Sequence, residues 1–398
     1  MSRGAACALL FGALVPGPAA AASAPVRFEV EVPASTPGGA VIWISGNVAA
    51  FGAWSGRGVE LTPAGPHRFT ATVPLELGAA LEFKVTRGGW ETVEKGPGGE
   101  EIANRTWTVA GADTVRIAVA AWRDQAEGPR LPPRHTITGN IREYLNFGSA
   151  FVGPRSVRVW LPPGYEADTA LHCPVLYFHD GNNVFDAAAS FLGIEWAVDE
   201  AADRLVRSGR VPPFIVVAVD HTSDRTSEYT YIADLRHGGG GASRYARFLI
   251  EELKPFIDRT CRTQSGPGAT GVVGSSLGGL VSMWLGIEHP RTFGLIGVVS
   301  PAAWWADGDL ARRVAESAGP GLRIWLDVGT AEGTSSADAR RWVEDARALR
   351  GALLARGYRA GVDLHYEEVE GAVHNETAWA ARVERLMAFL LERVPPPR

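Results

Sequence analysis

Short apolar runs alternating with polar residues open the chain. Arg27–Val32, Ala40–Ser45, Arg68–Val73, Leu81–Thr86 and Thr114–Val119 carry this period-two pattern, with Gly, Pro and Asn between them. No useful length of sequence between 25 and 120 repeats apolar residues at helical spacing, so this part predicts a small all-β sandwich. Residues 121–136 are polar and proline-bearing, without an apolar period, and predict a linker.

From about residue 137 the pattern changes. Ser156–Leu161, Val175–His179, Phe214–Asp220, Ala269–Gly274, Gly294–Val299, Leu322–Val328 and Val362–Val369 are strand-like, and most are Val, Ile and Leu runs of the kind that fill both faces of a buried parallel sheet. Helical stretches fall between them at 193–208, 242–257, 277–288 and 336–356. A last helix places Trp379, Val383, Leu386, Met387 and Leu390 on one face. This alternation predicts an α/β domain over 137–398, with a mostly parallel central sheet covered on both sides.

The first residues change the picture at one end. Ala5 to Val15 is an uncharged apolar run behind Arg3, too short to span a bilayer, and Ala20-Ala21-Ala22 supplies small residues for cleavage. Residues 1–22 therefore predict an export signal and a secreted or periplasmic protein. No later run is apolar and long enough for a transmembrane helix. Of three cysteines, Cys7 would leave with the signal; Cys173 and Cys261 would then form a disulfide or remain two buried thiols. The net charge of −5 is mixed along the chain with no basic stripe, which argues against a nucleic-acid partner.

Gly274-Ser275-Ser276-Leu277-Gly278 matches G-x-S-x-G, with an apolar strand before it and a helical stretch after it. A sharp strand-to-helix turn would strain the serine backbone, lift its hydroxyl above the sheet, and aim the Leu277 N–H where negative charge develops. Ser276 is the candidate nucleophile, and such a hydroxyl needs a base. On a scaffold of this kind the partners follow in the order Ser, acid, His. His374 stands after the last strand and before the last helix, where the base belongs; His289 ends a helix and His365 lies inside a strand. Glu332, in Gly329-Thr330-Ala331-Glu332-Gly333, is the candidate acid, with Asp327 and Asp338 as rivals. The loop His179-Asp180-Gly181-Asn182-Asn183 would supply the second oxyanion donor, the Asn182 N–H, with His179 and Asp180 buttressing it. The His and Cys residues show no metal-ligand spacing, and no cofactor is implied.

Several segments together carry a family likeness. Val159-Trp160-Leu161-Pro162-Pro163-Gly164-Tyr165, His179 to Asp186, Arg225 with Glu228-Tyr229, Gly274–Gly278, and His374-Asn375-Glu376 with Trp379 resemble the esterase D and enterochelin-esterase-like branch of α/β-hydrolases, over roughly 140–395. The resemblance implies an α/β-hydrolase fold and hydrolysis of a carboxylic ester, on substrates that in the family include feruloyl and acetyl esters of polysaccharides, siderophore esters and thioesters. Trp304 and Trp305, near the end of the strand after the elbow, and Arg225 and Glu228, after another strand, are candidate substrate contacts. In the first part, Gly46-Asn47-Val48-Ala49-Ala50-Phe51-Gly52-Ala53-Trp54, Phe83-Lys84-Val85, Trp90-Glu91 and Asn104-Arg105 resemble a starch-binding domain, carbohydrate-binding module family 20. The resemblance implies that Trp54 and Trp90 stack on glucose rings of an α-glucan and that Lys84 donates a hydrogen bond.

Three readings follow from the sequence. The first is an exported serine esterase acting on a small-molecule or carbohydrate ester, with acylated or feruloylated carbohydrate the leading case. The second is a siderophore esterase, which should favour a cationic pocket; Arg225 is the one obvious cation for it. The third is a non-catalytic glucan-binding protein.

Overall fold

The computed structural model describes residues 22–54, 56–100, 102–125, 135–190, 193–333 and 336–394. The chain divides into two compact units, Met1–Pro129 and Arg130–Arg398. Residues 1–21 of the expected export segment and residues 126–134 of the expected linker lie outside the described residues.

The first unit contains β1 (Ser23–Glu31), β2 (Ile42–Gly46), β3 (Val59–Gly65), β4 (Arg68–Glu76), β5 (Ala80–Thr86), β6 (Glu94–Lys95), β7 (Arg105–Thr108), β8 (Asp113–Ala118) and β9 (Ala121–Trp122). Seven of these pair in the order β7-β5-β2-β3-β4-β1-β8, and β6 pairs with β9. The sheet bends at β3: Val59 and Leu61 pair with β2, whereas Thr62 and Pro63 pair with β4. A flat sheet would hold β1 and β5 about 19 Å apart, four strand spacings. Yet the rings of Phe28 and Phe83 on those strands lie 5.7 Å apart and edge-on, so the two halves of the sheet face each other across a shared core. Val26, Phe28 and Val30 alternate into that core from β1, opposite Ile42, Ile44, Leu81 and Val85. The sequence pattern missed β3 because Leu61 is its one fully buried residue.

The expected linker start at Ala121 is corrected. Ala121 and Trp122 form β9, Trp122 is fully buried in the first core, and its Nε1 donates to Thr36 Oγ1 at 2.8 Å. At the other end, His135 and Thr136 make hydrogen bonds to Asp186 within the second unit.

The second unit contains β10 (Asn140–Phe147), β11 (Arg155–Leu161), β12 (Val175–His179), β13 (Ile215–Val219), the short pair β14 (Ala233–Asp234) and β15 (Gly238–Gly239), then β16 (Thr270–Ser276), β17 (Leu295–Pro301), β18 (Arg323–Gly329) and β19 (Leu364–Val369). The main sheet runs β10-β11-β13-β12-β16-β17-β18-β19. β10, β11 and β13 pair antiparallel, and from β13 onward every pair is parallel. The parallel strands therefore end at one edge of the sheet. The pattern missed β10, an edge strand whose half-exposed sequence Asn-Ile-Arg-Glu-Tyr-Leu-Asn-Phe has few apolar positions to fill.

The helices are α1 (Val198–Arg207), α2 (Arg225–Glu228), α3 (Ala242–Arg247), α4 (Lys254–Thr260), α5 (Leu277–Glu288), α6 (Trp305–Glu316), α7 (Ser336–Ala355) and α8 (Glu376–Leu391). Side chains alternate across β12. Val175 and Tyr177 pack with Tyr245, Leu253 and Leu280 on one face, and Leu176 and Phe178 with Val198, Leu386 and Met387 on the other. Each fully buried aliphatic or aromatic side chain here contributes about 1.5–3 kcal/mol. The helix expected from 193 begins at Val198, because Ala197 adopts a left-handed backbone (φ 52°). Cys173 and Cys261 are free and buried, so of the two states expected for the pair the structure has the thiols. Burial pushes the Cys173 thiol up to about 12 and raises that of Cys261, which keeps both protonated.

Candidate active site

β16 ends in Ser276, whose backbone lies at φ 57° and ψ −122°, a conformation that disfavours L side chains. The surroundings enforce it. A Cβ at position 274 would come within 2.7 Å of the Gly278 backbone, so the strand can turn into α5 this tightly only with glycine there. The Ser276 carbonyl accepts from Ala302 N–H at 3.0 Å, tying the elbow to the end of β17. Leu277 is the first residue of α5, where backbone N–H groups have no carbonyl within the helix to bond.

Two further loops at the same sheet edge bring His374 and Glu332 together. His374 follows β19, and Asn375 caps α8 by accepting from Ala378 N–H at 3.0 Å. Glu332 follows β18 and is fully buried. Its Oε2 lies 2.9 Å from His374 Nδ1. Its Oε1 accepts from Gly329 N–H at 2.6 Å and from the Ser300 hydroxyl. A histidine oriented through Nδ1 presents Nε2 for proton transfer. The rival acid Asp327 has other partners: it accepts from Trp325 Nε1 at 2.5 Å and from Ser300 N–H at 3.3 Å, and lies 3.4 Å from Arg382. Burial pushes its carboxyl up to about 6, against the pull of Arg382. His289 meets Trp284 edge-on and His365 stacks on Trp325, so each is packed into the fold.

Sequence reasoning missed the support behind Glu332. The Ser300 hydroxyl donates to Glu332 while accepting from Trp379 Nε1 at 3.1 Å and Arg382 Nη2 at 3.0 Å. Ser300 is fully buried with a positive φ of 40°, and Arg382 is buried on the core face of α8. A serine just before Pro301 carries no signal of this role by itself. Arg382, three residues after Trp379 on the apolar face, was the available clue.

Asn182 lies in a 3-10 turn (Gly181–Asn183) directly after β12. Gly181 is required there, since a Cβ would come within 2.5 Å of Val219 N. Asp180 precedes the turn in a left-handed conformation (φ 55°) and is gripped by Arg225 at 2.7 and 2.8 Å and by His221 at 3.0 Å. Burial works to raise the Asp180 carboxyl, but these partners outweigh it and hold it well below the usual range. His179 Nδ1 lies 2.9 Å from the Tyr245 hydroxyl, and burial lowers its ring to about 4.

The candidate substrate contacts separate. Glu228 is corrected: it is buried in a two-pronged ion pair with Arg155 at 2.6 and 2.8 Å, which leaves its carboxylate no free oxygen for a ligand. Trp305 is corrected too, being buried with its Nε1 donating to the Ile232 carbonyl at 2.9 Å. Trp304 is half-buried, 6.4 Å from Trp342, whose ring in turn lies 4.5 Å from that of His374. Trp342 is thus an aromatic neighbour of His374 that the sequence reading did not single out. Arg225 remains partly exposed, but its charge is compensated by Asp180.

In the first unit Trp54 and Trp90 are half-buried with ring centroids 6.0 Å apart, and Trp90 Nε1 donates to the Trp54 carbonyl at 3.1 Å. Lys84 is buried and its amine donates to the Ile102 carbonyl, so its expected role as a sugar donor is corrected.

Residues 148–390 match the model of the Esterase family, and the chain belongs to that family. It is a carboxylic ester hydrolase. It is 24% identical over 264 residues to an endo-1,4-beta-xylanase/feruloyl esterase of Xylanibacter ruminicola, covering 64% of this chain and 32% of that protein. A stretch of 103 residues, 25% of this chain and 8% of the other, is 40% identical to an alpha-amylase of Niallia circulans. Among solved structures, the enterobactin esterase of Shigella flexneri superposes with a TM-score of 0.51 at 16% identity, over 88% of each chain. No helix among the described residues is long and apolar enough to cross a membrane.

Proposed function

We propose that the chain is an exported serine esterase of α/β-hydrolase type that removes acyl groups, feruloyl groups among them, from carbohydrate. Ser276 attacks the ester carbonyl while His374 Nε2 takes its proton. The Leu277 and Asn182 amides hold the oxyanion, and Glu332 fixes the imidazole tautomer and stabilises the imidazolium. His374 returns the proton to the departing alkoxide. It then takes a proton from water as the water attacks the acyl-enzyme, and passes it to the Ser276 oxygen as the acyl–oxygen bond breaks, which releases the acid and restores the Ser276 hydroxyl.

The observation that carries this reading is the fully buried Glu332 carboxylate 2.9 Å from His374, on loops at the same sheet edge as the strained Ser276. The feruloyl esterase relative and the alpha-amylase relative support an acylated carbohydrate as substrate, and the Trp54–Trp90 pair offers aromatic faces to a glucan. The apolar run Ala5 to Val15 followed by Ala20-Ala21-Ala22 supports export.

The test is a hydrolysis panel on the full chain, wild type and Ser276→Ala. It contains p-nitrophenyl acetate and longer esters, methyl ferulate, acetylated glucan and xylan, and a catecholate triester. Serine-dependent turnover of the ferulate or the acetylated polysaccharides is expected. Turnover confined to the triester would make the chain a siderophore esterase instead. No turnover, together with glucan binding, would make it a non-catalytic binder.

A further inference from the structure

A second cluster of chemistry lies away from the elbow, at the start of α1. Glu195, Asp199 and Glu200 each place a carboxylate oxygen within 4.8 Å of one from each of the others. One oxygen of each carboxylate is already bonded to the segment 136–138. Thr136 Oγ1 donates to Glu195 Oε1, Thr138 N–H donates to Asp199 Oδ2 at 2.6 Å, and Thr138 Oγ1 donates to Glu200 Oε1 at 3.3 Å. The second oxygen of each (Glu195 Oε2, Asp199 Oδ1 and Glu200 Oε2) is shut off from solvent and finds no donor among the described residues; the Asp199 and Glu200 carboxyls lie close enough to bond to each other only by sharing a proton. Asp199 as a residue is completely buried.

This arrangement is costly as it stands. A buried, unsatisfied polar group costs about 1–3 kcal/mol, and more when charged. Among the described residues none of the three carboxylates makes an ion pair, in contrast to the buried Asp180, Glu228 and Asp327. The charges that act on Glu195 and Asp199 are those of other carboxylates, Glu200 on both and Asp186 on Glu195. The N-terminus of α1 supplies only about half a positive charge, too little to offset three anions. A cluster of this kind needs either protons or a cation.

The geometry points to a divalent cation site formed by Glu195, Asp199 and Glu200, with Ca2+ as the ion that fits. All the donors are hard oxygens, the set that calcium and magnesium prefer, whereas zinc favours thiolate and imidazole. Ca2+ binds oxygens at about 2.3–2.6 Å, so two of its ligands can stand up to about 5 Å apart, which spans the observed separation. It also accepts carboxylates in irregular geometry, whereas Mg2+ demands a near-ideal octahedron and retains water. The ion would clamp the segment 136–138 to the first turn of α1, drawing on carboxylates rather than on the His and Cys residues whose spacing showed no metal pattern.

The full chain, stripped with EDTA and desalted, is titrated with CaCl2 by calorimetry and followed by thermal unfolding. The expected result is saturable binding of a single Ca2+ per chain, with a Tm that rises with the logarithm of Ca2+ concentration. Glu200→Gln and Glu195→Gln keep an oxygen for the Thr138 and Thr136 hydroxyls. Each is expected to fold and to bind Ca2+ about tenfold or more weakly, the loss of one charged ligand. Absence of binding heat and of any Tm shift in wild type up to about 10 mM Ca2+, above the weakest affinities of extracellular calcium modules, would overturn the site and leave shared protons as what holds the cluster. Undiminished binding in both variants would equally overturn it.

Discussion

The Oε2 oxygen of Glu332 lies 2.9 Å from Nδ1 of His374, 42 positions further along the sequence. The two loops that carry them follow β18 and β19, which are adjacent and parallel, so the contact is set by strand order. Glu332→Gln retains the size of the side chain but offers an amide where the imidazole needs an acceptor. kcat/KM for p-nitrophenyl acetate should fall roughly 10²- to 10⁴-fold with little change in KM. An unchanged kcat would remove Glu332 from the reaction.

Ser300→Ala deletes the hydroxyl on which Glu332, Trp379 and Arg382 converge. It leaves two buried donors without an acceptor, at about 1–3 kcal/mol each. Arg382→Met leaves Asp327 without its buried cation, a change worth about 3–5 kcal/mol. Urea unfolding should place both variants below wild type in stability. A midpoint for Ser300→Ala equal to wild type would show that the network contributes no stability.

His179 provides a pH dependence whose sign is fixed. Its ring titrates near 4 in the folded chain, against an ordinary 6.5, because burial disfavours the charged form. The stability from the neutral ring is complete above 6.5 and is lost as pH falls from 6.5 toward 4. Below 4 both states carry the proton and the loss stops. The whole effect is on the order of 3 kcal/mol. His179→Gln should flatten the stability profile in that window, and parallel profiles for the two proteins would assign the acid loss to other groups.

Trp304 and Trp342 form an aromatic path that reaches His374. If the acyl group rests there, Trp304→Ala should raise KM for methyl ferulate roughly 2- to 10-fold, the worth of one aromatic pair. KM for p-nitrophenyl acetate should hardly move. Equal increases for both esters would place the aromatic ring elsewhere.

Much of the architecture was legible in the residue pattern. Buried parallel strands announce themselves as Val and Ile runs, and the turn at Gly274–Gly278 cannot form without small residues at its corners. The Glu332–His374 pair was legible from loop position alone, given the order in which parallel strands present their ends. What escaped were elements whose residues answer to neighbours far along the chain. β10 and β3 are edge or bridging strands with little to bury. Glu228 and Trp305 read as site residues because their positions beside strand ends are right, whereas their partners, Arg155 and the Ile232 carbonyl, lie 73 residues away in each case. Arg382 was hidden by its charge, which no apolar pattern registers as buried.

Trp122 bears on how the molecule can be taken apart. The indole sits wholly inside the first core, two residues beyond where the β pattern of that region stops. A fragment ended at residue 120 would carry a hole the size of the largest side chain in the protein, at about 3–5 kcal/mol. It would also lose the strand that covers Glu94 and Lys95. Failure of such a fragment to bind glucan would report on its own unfolding. A cut after Gln125 retains the indole and its bond to Thr36, and a negative binding result on that piece would carry meaning.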